Sequence, residues 1–188
     1  MKSWLIPLGV TYCLLLLPIK GHGQTNFQEL PSVSVGIGYF GELFTHPGLV
    51  LYGDFALNQD QNQWLTRVNL VHYRHRGHSA NTLLLPELLF RRHTTRQSYW
   101  EASVGAGSLY QRAHGQVVEF TEGSFSPTTS GRFYFAPSLG LRHGRAFQMS
   151  NGHALVPNVG GRIFYQYPFH DFWLMRAAFD VSLSYQIK

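Results

Sequence analysis

Beyond its first 23 residues the chain has no cysteine: Cys13 is the only one, and it lies within an N-terminal apolar run. Once that run is removed, neither a disulfide nor a thiolate metal site can form, and thiol-based catalysis is excluded with them. Charge is scarce too, with Asp, Glu, Lys and Arg making up 13% of the chain against about 25% in an ordinary globular domain. Lysine is confined to Lys2, Lys20 and Lys188, and the Arg residues are scattered rather than clustered. That distribution argues against a nucleic-acid partner. Past the N-terminus no stretch reaches the roughly 18 consecutive apolar residues that a membrane-spanning helix needs. An amphipathic helical bundle is also excluded, because it would need more Ala, Leu, Glu and Lys.

What the chain does have is 19 glycines, 15% aromatic residues and a hydrophobic fraction of 44%. Disorder is incompatible with that much apolar material. The N-terminus reads as an export signal. Lys2 supplies the positive start, Leu5 to Ile19 the apolar core, and Gly21-His22-Gly23 the small residues before Gln24. A lipid-anchored Cys13 is disfavoured by the bulky Tyr12 before it. The expected division is therefore a cleaved signal over 1–23 and one domain over 24–188, about 165 residues, which is too short for two domains. Loss of Lys2 and Lys20 lowers the formal net charge from +5 to +3.

From there the sequence alternates with period two between turn residues. Eight segments stand out: Val33–Phe40, Leu49–Leu57, Trp64–Arg76, Thr82–His93, Ser98–Ala113, Arg132–Met149, Ala154–Tyr167 and Asp171–Ile187. Several exceed the five or six residues (approximately) of a soluble strand. In the last, Trp173, Met175, Phe179, Val181 and Leu183 oppose Arg176, Asp180, Ser182 and Ser184. Segments three and four are noisier, with Leu65 and Val71 on the face of Arg67 and Leu89 on that of Glu87 and Arg91.

Size decides which face points inward. A closed barrel of eight strands encloses only enough room for side chains. Small and polar residues then belong inside, and the bulky apolar face points outward. In water such a surface would aggregate, so its solvent is lipid. The sequence thus predicts an all-β, eight-stranded antiparallel up-and-down transmembrane barrel. Connections of alternating length support it, with Ser150-Asn151-Gly152-His153 a hairpin turn and Gly41–Gly48 and His114–Gly131 longer loops. Aromatics fall into two girdles: Tyr39, Tyr110, Phe133, Tyr165, Tyr167 and Trp173 toward the outer ends, Trp64, Phe90, Trp100 and Tyr185 toward the periplasmic ends.

On this pattern and length the chain resembles the small eight-stranded outer-membrane barrels of Gram-negative bacteria. The Gly48–Leu57 stretch and Tyr99-Trp-Glu-Ala-Ser-Val-Gly-Ala-Gly107 look like their Bacteroidetes versions. The resemblance implies a monomer in the cell outer membrane, in contact with lipid and lipopolysaccharide, inserted by the barrel-insertion machinery. Such proteins often end on an aromatic residue; this chain ends Ser184-Tyr-Gln-Ile-Lys188, where Tyr185 can take that part.

The inward set holds Asp54, Arg67, Glu87, Arg91, Glu101, Arg132, Arg142, Arg162, Arg176 and Asp180. The turn at Asp60-Gln61 should set Asp54 across from Arg67, and the next hairpin should bring Arg91 near Glu101. Charges in a narrow lumen must be paired, since an unpaired one costs several kcal/mol. An ion-pair network that plugs the barrel is expected; six Arg against four acids leaves a narrow pore as the sharper reading.

No catalytic, cofactor or metal site emerges. His72 and His75 of the Leu70–His78 stretch point to opposite faces of a strand, so they cannot share an ion. Arg74, Arg76 and His78 suit a basic rim touching lipopolysaccharide phosphates. Met149-Ser-Asn-Gly152 and Pro157-Asn158 resemble the outer-membrane lipid A deacylases, but Gln148 stands where their His belongs, and a serine without a base is a weak nucleophile. The long His114–Gly131 loop, with Glu119, Phe120, Glu122 and Phe125, is the candidate exposed binding surface. The expected role is structural or surface-binding. The alternatives are a lipid A-modifying enzyme, a narrow pore, and a soluble secreted lipocalin-like ligand carrier.

Overall fold

The computed structural model describes residues 32–43, 46–94, 97–114, 117–121, 124–128, 131–169 and 172–187. The expected signal, with Cys13, and the loop residue Glu122 lie outside the described residues, as do the side chains of Glu119, Phe120 and Phe125. The strands are β1 (Val33–Glu42), β2 (His46–Ala56), β3 (Asn62–His75), β4 (Ser79–His93), β5 (Ser98–Ala113), β6 (Val117–Thr121), β7 (Ser124–Thr128), β8 (Gly131–Arg145), β9 (Phe147–Gln148), β10 (Ala154–Phe169) and β11 (Phe172–Ile187).

Eight of them close into an antiparallel ring in the order β1, β2, β3, β4, β5, β8, β10, β11. The seam is complete: β1 pairs from Val33 with Ile187 to Glu42 with Ala178. It pairs with β2 over the same ten residues. No strand of the ring keeps a free edge, the device by which barrels avoid edge-to-edge association. β9 pairs with Ala154 and Leu155 of β10 at one end. We call that the terminal end, since Val33 and Ile187 also lie there. The opposite end carries the β6–β7 hairpin and is called the hairpin end.

Two connections differ from expectation. Between β1 and β2 only residues 43–45 intervene, so the expected long loop Gly41–Gly48 is mostly strand. The His114–Gly131 loop contains a paired hairpin, with Phe120 opposite Phe125. Asn151-Gly152 makes the turn that its sequence suggests: Gly152 has φ +84°, and Met149 N donates to His153 O at 2.9 Å.

Outward and inward residues alternate along each barrel strand. Ile37, Leu51, Val68, Leu88, Val104, Leu139, Ile163 and Leu183 form an exposed apolar belt around the middle. The interior corrects one expectation, for it is not only small and polar. Phe40, Val50, Tyr73, Leu83, Leu85, Leu109, Ala136 and Phe164 form a buried apolar layer toward the hairpin end. The noise in the third and fourth segments is inward-turned apolar residues: Val71 in this layer, and the cross-strand pair Leu65 and Leu89 nearer the terminal end. Glycine makes room for large rings. A Cβ on Gly36 would come within 2.2 Å of the Tyr52 ring, and one on Gly144 within 2.5 Å of the Tyr99 ring.

Candidate functional site

The charged interior begins with Asp54 on β2, directly across from Arg67 on β3. Period two then aims both side chains into the lumen, where Arg67 Nε donates to Asp54 Oδ1 at 2.5 Å and Nη2 to Oδ2 at 2.8 Å. This is the two-pronged geometry a guanidinium makes with a carboxylate. Arg67 Nη1 also donates to Glu101 Oε1 at 2.7 Å. Arg91 faces Glu101 in register and donates to its Oε2 through Nη2 at 2.8 Å. Arg142 Nη2 lies 2.8 Å from Asp180 Oδ1.

Two rings that sequence reasoning did not single out hold these guanidinium groups. The Arg67 and Arg142 guanidinium groups lie 4.5 and 5.0 Å from the Tyr52 ring centroid, and that of Arg91 lies 4.3 Å from the Tyr99 centroid. The cation–π attraction is strongest where water is excluded. Tyr99 Oη donates to Asn158 Oδ1 at 2.6 Å, and Asn158 Nδ2 donates to Tyr52 Oη at 3.3 Å. The signal was available: Tyr52 shares the parity of Asp54, and Tyr99 that of Glu101.

Nearer the apolar layer, Glu87 accepts from Arg162 Nη2 at 3.0 Å, Asn69 Nδ2 at 2.7 Å, Ser103 Oγ at 3.1 Å and Ser138 Oγ at 3.3 Å. Above that layer lies a polar belt. Glu42 of β1, absent from the expected inward set, is fully buried and bound to Arg176 of β11 and His75 of β3. Arg176 Nε donates to Gln166 Oε1 at 2.8 Å, Gln166 Nε2 to Gln111 Oε1 at 3.1 Å, and Gln111 Nε2 to Ser79 Oγ at 3.2 Å.

Arg132 is the exception among the expected inward residues. It keeps the inward parity, but it follows Gly131 at the very start of β8 and is exposed at the hairpin end. With Glu42 counted in and Arg132 counted out, the buried charges among the described residues balance. They are Arg67, Arg91, Arg142, Arg162 and Arg176 against Glu42, Asp54, Glu87, Glu101 and Asp180.

The girdle residues pair across strands. Tyr167 stacks on Trp173 at 4.4 Å, Tyr165 meets Trp173 at 6.2 Å, and Tyr110 meets Phe133 at 4.8 Å toward the hairpin end. Tyr39 lies 5.6 Å from Phe179 in the same girdle. At the other rim Trp64 lies 5.1 Å from Phe90, Trp100 packs on His143 at 4.9 Å, and Tyr185 stacks on His153 at 5.3 Å. Arg74, Arg76 and His78 are exposed around the β3–β4 turn at the hairpin end. Ser150 is exposed at the terminal end, away from the polar belt.

No family model matches the chain, and no curated protein matches it. Among solved structures the chain is similar to Neisserial surface protein A, at 9% identity and TM-score 0.52, covering 83% of this chain and 95% of that one. It is also similar to Ail, the attachment invasion locus protein of Yersinia pestis, at 11% identity and TM-score 0.49, covering 84% of this chain and 100% of that one. At these identities the likeness concerns fold. The chain has the closed eight-stranded antiparallel architecture of small outer-membrane β-barrels.

Proposed function

We propose that the chain is an exported, monomeric outer-membrane protein whose barrel is plugged, and that it acts as a structural or surface-binding element. The observation that carries this reading is the sorting of side chains by chemistry. Every arginine and carboxylate within the charged interior has an opposite partner, while the belt outside is aliphatic and bounded by aromatic girdles. Water would oppose that exterior and lipid favours it. Exposed Arg74 and Arg76 supply cations, and His78 a ring N–H, for lipopolysaccharide phosphates at the hairpin end. A closed ring without a free edge supports a monomer, and enclosure of Arg67, Arg91, Arg142, Arg162 and Arg176 leaves fewer surface cations for a nucleic acid.

The balance of interior charge and the apolar layer favour a sealed lumen over a narrow pore. No specific observation favours a lipid A-modifying enzyme or a secreted ligand carrier. Membrane fractionation with a heat-modifiable gel shift tests the placement: the protein should partition with outer membranes and migrate differently before and after boiling. Recovery in the soluble periplasmic fraction would contradict it. Planar-bilayer recording should show no unitary conductance. The lipid A profile of a deletion strain should be unchanged.

A further inference from the structure

At the hairpin end three strands bring a carboxylate and two imidazoles together. Glu42 ends β1, His46 begins β2 across the tight connection, and His75 ends β3. Strand parity turns all three toward the lumen mouth. A ligand atom from each lies within 4.8 Å of the others. His46 Nδ1 is 3.8 Å from Glu42 Oε2, and His75 Nε2 is hydrogen-bonded to that same oxygen. The two imidazole rings stack with centroids 3.8 Å apart.

We propose that Glu42, His46 and His75 form a binding site for a divalent transition-metal cation of the zinc class. Two neutral imidazoles and one carboxylate are the donor set that zinc takes with a fourth position open to water. In the metal-free protein a shared proton joins His75 to Glu42; the cation takes its place, with small rotations of the rings bringing the donors to about 2.0–2.2 Å from the metal. Glu42 is held for this by Arg176, which occupies its other oxygen, Oε1, and is itself fixed by Gln166. Such outer partners set the orientation of a ligating carboxylate. The Arg176 charge also weakens attraction for a cation, so the site exchanges its metal readily.

A second feature points the same way. Tyr73 Oη is buried with no hydrogen-bond partner among the described residues. The Tyr73 ring lies 5.7 Å from that of His75. A metal-bound water would give that hydroxyl oxygen a donor. Access is open, because the His46 and His75 side chains keep 26% and 17% exposure while Glu42 has none. Ligation would tie β1, β2 and β3 together at the rim. The site stands whether lipid or water surrounds the barrel, so its test is independent of the proposed placement.

The test is isothermal titration of the folded full chain in detergent with zinc chloride, alongside thermal unfolding with and without EDTA. The expected result is saturable uptake of one equivalent and a higher unfolding temperature with zinc, as ligand linkage requires. His46→Ala leaves the Glu42 bonds to His75 and Arg176 intact, and it should weaken uptake at least tenfold. His75→Ala should do the same, and His78→Ala at the exposed turn should change nothing. Absence of uptake, or uptake unchanged in both His46→Ala and His75→Ala, overturns the proposal.

Discussion

Arg67 and Glu101 stand on β3 and β5, with β4 between them, yet Arg67 Nη1 donates to Glu101 Oε1 at 2.7 Å across the lumen. The same guanidinium holds Asp54 of β2 through two bonds. One side chain thus links three strands through the barrel interior. Arg67→Met leaves Asp54 and Glu101 with less compensation at a buried site. We expect a loss of about 3–5 kcal/mol in urea unfolding from detergent or lipid. The double variant Arg67→Met, Asp54→Asn should recover part of it, because the remaining Glu101 and Arg91 still pair one to one.

The Gly36–Tyr52 contact is testable by adding one methyl group. Gly36→Ala sets a Cβ against a ring that is itself in contact with Arg67 and Arg142. The expected cost is about 1–3 kcal/mol, the range for overpacking. In a Tyr52→Ala background the same change should cost much less, and this coupling is read from a double-mutant cycle.

Leu139 sits midway along β8 and is 62% exposed. If its surroundings are hydrocarbon, Leu139→Arg costs about 2–4 kcal/mol in a bilayer, whereas an arginine near a rim costs about 0–1 kcal/mol. Phe133→Arg, at the hairpin end, provides that comparison. Equal costs at the two depths, measured by folding into liposomes, would mean that the band is not immersed.

Much of the fold is legible in the sequence because a strand's period is short and its meaning unambiguous. Ser98–Ala113 is β5 residue for residue, and the expected opposition of Asp54 to Arg67 and of Arg91 to Glu101 is the observed register. Period two tells which residues share a face; it does not tell at what height they meet. That is why Phe40, Leu83, Leu85 and Phe164 were not foreseen as one layer inside the barrel. Glu42 was missed for a related reason, since β1 runs two residues beyond Phe40 and the connection to β2 is tighter than its sequence suggests. Arg132 shows the converse, where parity is right and height puts the side chain outside the lumen.

Membrane placement requires the aliphatic belt to be solvated by acyl chains. Trp64, Trp100 and Trp173 all lie on that surface, each about half exposed, two toward the terminal end and one toward the hairpin end. The chain from Gln24 onward, which lacks Trp4, folded into vesicles with brominated acyl chains reads their surroundings directly. Strong quenching by the bromolipid, greatest when the bromine sits near the headgroups, with weak quenching by aqueous acrylamide, is the predicted result. Efficient acrylamide quenching without any effect of bromine would contradict it.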